Sequence, residues 1–144
     1  MTEIAFHFNA PDKLAYACRL LRKATAGGAK VVVTGEEAAL HRLDQQLWTF
    51  SPIDFVAHCL ADSPQSVLQA SAVVLATDVA QAPHHHVLVN LGEAVPLGFE
   101  RFERLIEVVT GDAEDRSGAR ERWRHYASRG FTIIRHDLEL RESA

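Results

Sequence analysis

Val31-Val32-Val33, held between Lys30 and Thr34, is an almost unbroken β-branched run with no polar side chain inside it to turn toward water. A strand of that kind is stable only when both of its faces are covered, as at the centre of a parallel sheet. The neighbouring segments fit that demand. Ile4-Ala5-Phe6-His7-Phe8 alternates as a strand does. The spacing predicts a helix after it, with Asn9 or Asp12 as cap and Pro11 in its first turn. Its apolar stripe is Leu14, Ala17, Cys18 and Leu21, and Gly27-Gly28 ends it. A second helix opens at Gly35-Glu36-Glu37 and carries Leu40, Leu43 and Leu47 on one face.

Further strands are expected at Asp54-Phe55-Val56-Ala57-His58, at Ser71 to Asp78 around Val73-Val74-Leu75, and at His86 to Leu91. Phe99, Phe102, Ile106 and Val109 recur at helical spacing. Another helix covers Asp112 to Arg129 and stops at Gly130, leaving Phe131 to Ile134 for an edge strand. Strand and helix alternate, so the expected fold is α/β: a Rossmann-like three-layer α/β/α arrangement around a mostly parallel sheet of about five strands. With 144 residues, no linker-like stretch and no internal repeat, residues 1–144 read as a single domain. No stretch approaches the roughly 18 apolar residues of a membrane span, and the N-terminus lacks secretory features. A cytoplasmic setting follows, with Cys18 and Cys59 as buried reduced thiols.

The cofactor chemistry common on such folds is missing. A dinucleotide fold needs glycines in its first strand-to-helix turn, where this chain has Asn9-Ala10-Pro11-Asp12. No Gly-rich phosphate loop and no Gly-x-Ser-x-Gly elbow occurs. His84 and His86 would share one face of a strand, but a metal site needs further ligands that the nearby sequence lacks, so neither a metal nor a cofactor is expected. His7 and His58 read as satisfied strand histidines.

The informative stretch is Arg116 to Arg129, where five arginines against Glu121 alone give +4 and leave −8 on the rest of a chain of formal charge −4. On a helix Arg116, Arg120, Trp123 and Ala127 share a face, with Arg124 beside it. Guanidinium groups flanking an indole suit an acidic peptide that carries an aromatic residue or a terminal carboxylate. On these residues alone three other readings stay open: an amphipathic helix whose arginines are solvated and whose Trp123 and Tyr126 face the core; arginines on phosphates with Trp123 stacking a base of single-stranded nucleic acid; or a small nucleotide- or metal-dependent α/β enzyme.

Ala119-Arg120-Glu121-Arg122-Trp123-Arg124-His125-Tyr126, closed by Gly130-Phe131, resembles the C-terminal segment of the chi subunits of bacterial DNA polymerase III. Arg42-Leu43-Asp44-Gln45-Gln46-Leu47-Trp48, followed by Phe55-Val56-Ala57-His58-Cys59-Leu60-Ala61, resembles a second segment of that family. The resemblance implies a non-catalytic subunit that joins the clamp loader through the psi subunit and meets DNA indirectly. It also implies a surface that grips the acidic C-terminal tail of single-stranded DNA-binding protein. The tail-binding positions fall on Arg116, Arg120 and Trp123, with Arg124 beside them; the first is commonly Lys and the last of the three commonly Tyr in the family. The psi-binding patch falls on Trp48, Phe55 and Leu60, and the family admits a helicase partner at the same patch. Trp48 lies one position past the Leu40-Leu43-Leu47 stripe, at its edge, where a large ring marks an interface.

Overall fold

The computed structural model describes residues 1–49 and 56–139. Its strands are β1 (Glu3–Ala10), β2 (Val31–Thr34), β3 (His58–Leu60), β4 (Val73–Leu75), β5 (Val87–Asn90), β6 (Arg104–Thr110) and β7 (Ile133–Asp137). The helices are α1 (Lys13–Ala26), α2 (Glu37–Thr49), α3 (Gln65–Ala70) and α4 (Ala113–Ser128), with short 3-10 turns at Val79–Gln81 and Phe99–Arg101. The strands form one sheet in the order β3-β4-β2-β5-β6-β1-β7, and every neighbouring pair is parallel. Among the described residues the sheet therefore has seven strands rather than about five.

β2 sits where its valines require, between β4 and β5, with Val31 opposite both Val73 and Val87. The pleat sorts its side chains into two cores. Val31 and Val33 join Val73, Leu75, Val87 and Val89 beneath α1 and α2. Val32 points the other way, joining Ile4, Phe6, Leu88 and Leu105 beneath α4. Alternation at period two on strands buried on both faces is what makes the run continuous in apolar character.

α1 is capped by Asp12, whose Oδ1 accepts from Ala15 N at 3.1 Å, and ends at Gly27. Asn9 does not cap it. Its φ of 66° falls at an irregularity within β1, where the register with β6 shifts between His7 and Ala10, and its amide donates to Asp137 Oδ1 on β7 at 2.9 Å. Leu40, Leu43 and Leu47 are all buried on α2. Cys18 and Cys59 are free, buried thiols; burial, then the Asp12 carboxylate, pushes the Cys18 thiol up to about 11.

Three expectations shift. The third strand is His58–Leu60, with Val56 and Ala57 ahead of it, while Asp54 and Phe55 of the expected strand lie outside the described residues. The Phe99-Phe102-Ile106-Val109 series is not a helix. Its first two members pack from the Phe99–Arg101 turn, and the last two belong to β6. The spacing imitates a helix there because β6 is buried on both faces, Leu105 and Val109 on the α4 side, Ile106 and Val108 on the other. The edge strand begins at Ile133 and continues to Asp137, so it carries Arg135 as well as the isoleucines.

α4 is tied to the sheet at its first turn by Asp115. Its Oδ1 accepts from Lys13 Nζ at 2.8 Å, and its Oδ2 accepts from Thr110 N at 2.7 Å and Oγ1 at 3.0 Å. Burial pushes this carboxyl up, but the Lys13 and Thr110 donors outweigh it and hold it below the usual carboxylate range. A depressed folded pKa stabilises the fold above the unfolded value of about 4, and the contribution is lost as pH falls through the folded one. Asp115→Asn is expected to lower Tm at pH 7. The gap to the parent protein should close below about pH 4, as thermal melts across pH will show.

Candidate functional site

Which side of α4 faces outward is decided by what faces in. Ala119, Arg122 and Tyr126, spaced three and four residues apart, are the buried positions of the helix. Beneath them lies Glu107 of β6, with 0% exposure. Arg122 Nε donates to Glu107 Oε1 at 2.9 Å, and the Tyr126 hydroxyl donates to Oε2 at 2.6 Å. Asn90 Nδ2 from β5 reaches Oε2 at 3.1 Å and also donates to Ala94 O. Arg122 Nη1 donates to Glu93 O at 2.9 Å, passing close enough to Gly118 that a Cβ there would meet it at 3.3 Å. Full burial pushes the Glu107 carboxyl above its ordinary range, and the Arg122 guanidinium and the Tyr126 and Asn90 donors work against that. Burial and the adjacent carboxylate push the Tyr126 phenol far up, so it stays an O–H donor.

With that inner face fixed, the stripe one residue further round, Arg116, Arg120 and Trp123, turns toward β1 and β7. These three, with Arg124, border a cavity of about 420 Å³. Its apolar lining comes from Phe6 and Phe8 of β1, Val109 of β6 and Ala119. The Phe6 ring lies 5.0 Å from that of Trp123, tilted by 51°. A fourth guanidinium enters from the far side. Arg135 of β7 lines the same cavity, its Cζ 5.1 Å from the Phe8 ring centroid and 5.7 Å from that of Trp123.

The structure thus brings Arg116, Arg120, Trp123 and Arg124 together, and leaves out Ala127, which is exposed and does not line the cavity. It also corrects the charge count of the helix. Arg122, 2% exposed, is spent on Glu107 and is unavailable to a ligand. Arg124 is paired with Glu121 Oε1 at 2.6 Å on the open surface. Among the described residues, Arg116, Arg120 and Arg135 have no carboxylate partner. The contribution of Phe6, Phe8 and Arg135 was not read from sequence. A parallel β1–β7 pairing, which sets Phe6 beside Arg135, was the missing step.

The second patch is placed in part. Trp48, at the end of α2, is 59% exposed and stands with its ring 4.8 Å from that of His58. His58 is held by Val56 O at 2.6 Å and lies 3.3 Å from Asp44 Oδ1. Leu60 is half-buried on β3, the opposite edge of the sheet from β7. Phe55 lies outside the described residues. The three consecutive histidines diverge. His86 Nδ1 accepts from Lys30 N, His85 packs on Phe102, and burial together with the Lys30 charge pulls His84 below the ordinary histidine value. Among the described residues no group of three or more His, Cys, Asp and Glu could hold a metal ion, and no helix is long and apolar enough to cross a membrane.

Fold and recess together define a parallel α/β protein with an apolar cavity rimmed by guanidinium groups. Residues 1–134 match the family described as DNA polymerase III chi subunit, HolC. The chain is 31% identical over 127 residues to the DNA polymerase III subunit chi of Pseudomonas aeruginosa, covering 88% of this chain and 87% of that protein. It is 26% identical over 119 residues to that of Haemophilus influenzae, covering 81% of each. The fold is also similar to the C-terminal domain of the DEAD-box protein Dbp5, with a TM-score of 0.63 at 12% identity over 96% of this chain and 91% of that one. That last likeness is one of fold alone. The chain belongs to the DNA polymerase III chi subunit family.

Removing one half of a buried ion pair strands the other, at a cost of about 3–5 kcal/mol. Arg122→Ala is therefore expected to destabilise the fold by about that amount. Arg122→Ala combined with Glu107→Leu should recover much of the loss, because no charge is then left buried. Urea denaturation of the three proteins measures both.

Proposed function

We propose that this chi-family chain is a non-catalytic, cytoplasmic adaptor of the polymerase assembly that captures the acidic C-terminal tail of single-stranded DNA-binding protein. The observation that carries the reading is the apolar cavity on α4 with four guanidinium groups around it, three of them without a carboxylate partner among the described residues. Such a tail ends in an aromatic residue and a free carboxylate. The ring has an apolar seat against Trp123, Phe6 and Phe8, and the carboxylate has Arg116 and Arg120, whose planar forks can each donate two parallel N–H bonds. Trp123 replaces the hydroxyl of a tyrosine with an indole N–H and keeps the flat surface.

The patch around Trp48 and Leu60, together with Phe55, is proposed to receive the psi subunit of the clamp loader. The exposed Trp48 ring supports this, since large aromatic rings anchor protein interfaces. The recess and the patch lie on opposite edges of the sheet, so one chain could hold both partners at once. A helicase using the same patch would then compete with psi and not with the tail. DNA is reached indirectly, through the protein that coats it.

Calorimetry with intact and tail-truncated single-stranded DNA-binding protein tests the main reading. Binding to the intact protein and none to the truncated one is expected. Arg120→Ala with Trp123→Ala should weaken binding at least about a hundredfold while leaving the domain folded, as truncating an interface anchor does. Unaltered affinity in that double variant, or equal binding to a naked oligonucleotide that the same substitutions abolish, refutes it. The affinity should also fall steadily with added salt, because exposed charges are screened within about 8 Å at physiological ionic strength.

A further inference from the structure

The α4 arginines account for one bank of the recess. The other bank is Arg135, and its position is unusual for a strand-edge arginine. It is exposed, yet its guanidinium lies against two rings at once, Phe8 of β1 and Trp123 of α4. Contacts of this kind favour arginine over lysine, because a planar, weakly hydrated cation can lie on an aromatic face and keep its N–H groups free at the rim. Among the described residues no carboxylate neutralises it, nor Arg116 or Arg120 across the cavity. Three like charges around one apolar cavity repel one another, and a ligand with a single carboxylate would leave at least one of them uncompensated. A ligand with two separated negative charges relieves the whole set.

We propose that Arg135 is a specificity-determining residue of the recess: from β7 it takes an acidic side chain within the bound peptide, while Arg116 and Arg120 hold the terminal carboxylate from α4. This rests on the acidic-tail reading and deepens it. The bound segment spans the cavity from helix to edge strand, with its aromatic residue seated between the two banks. Recognition then requires a ring with negative charge on both sides of it in space, not merely an acidic sequence. Phe8 and Trp123 position the Arg135 guanidinium, so it need not be ordered anew when the peptide arrives.

The test uses calorimetry with three synthetic peptides: Gly-Asp-Asp-Asp-Ala-Phe with a free carboxylate, the same peptide with its aspartates changed to asparagine, and the same acidic peptide with an amidated C-terminus. Arg135→Ala is expected to bind the first peptide about tenfold more weakly than the parent protein while staying folded, since the side chain is exposed and only its ring contacts are lost. Arg135→Lys should recover only part of the loss. Against the asparagine peptide the parent and Arg135→Ala should bind alike, whereas amidation should cost both the same factor. Arg120→Ala should show the reverse pattern, sensitive to asparagine and indifferent to amidation. Arg135→Ala binding the acidic peptide as tightly as the parent, or losing as much on the asparagine change as the parent does, overturns this assignment alone. A parent protein that fails to bind the acidic peptide overturns the tail-capture reading and this assignment with it.

Discussion

A carboxylate with no access to water sets the geometry of the functional face. Glu107 in the middle of β6 is fully buried, and its charge is met by Arg122 and Tyr126 from α4 and by Asn90 from β5. An apolar side chain at position 107 would let α4 rotate or slide with little penalty, since apolar contacts are non-directional. The ion pair and its hydrogen bonds permit one phase of the helix only. A buried pair of this kind is weak evidence for stability and better evidence for orientation. Here the orientation decides that Arg116, Arg120 and Trp123 border the recess beside β1 and β7, with the two arginines still exposed at its rim.

The alternation of strand and helix, the central placement of Val31-Val32-Val33 and the limits of α4 were legible because each rests on local pattern. The Phe99 to Val109 stretch was not, because a strand buried on both faces has no period of its own, and its spacing mimicked a helix. The α4 half of the recess could be read for the reason helices usually can: residues three and four apart must share a face. The other half could not. Phe8 and Arg135 are brought to Trp123 by a parallel pairing of β1 with β7, a contact between strands separated by most of the chain. Nothing in the local sequence of Arg135 distinguishes it from a solvated edge arginine.

Charge shows the same division between local and long-range information. Residues Arg116 to Arg129 carry +4 by count. One of those arginines is withdrawn into the core by Glu107, a second leans on Glu121, and β7 returns a guanidinium to the rim. The formal total of −4 hides a small basic basin on an acidic body. Such a distribution disfavours the polyanionic backbone of DNA over the bulk of the surface while leaving one place where a short anion is welcome.

The order in which the sheet is threaded gives the recess a temporal property. β1 lies between β6 and β7, so the earliest strand of the chain cannot find either neighbour until more than ninety further residues exist. Phe6 and Phe8 wait on one side of that interval, Trp123 and Arg135 on the other. A chain that ends before β7 carries the α4 arginines and the apolar residues Phe6, Phe8 and Val109, but lacks Arg135 and the strand that covers the outer side of β1. The full ring of guanidinium groups around the recess therefore exists only once the last strand has joined the sheet.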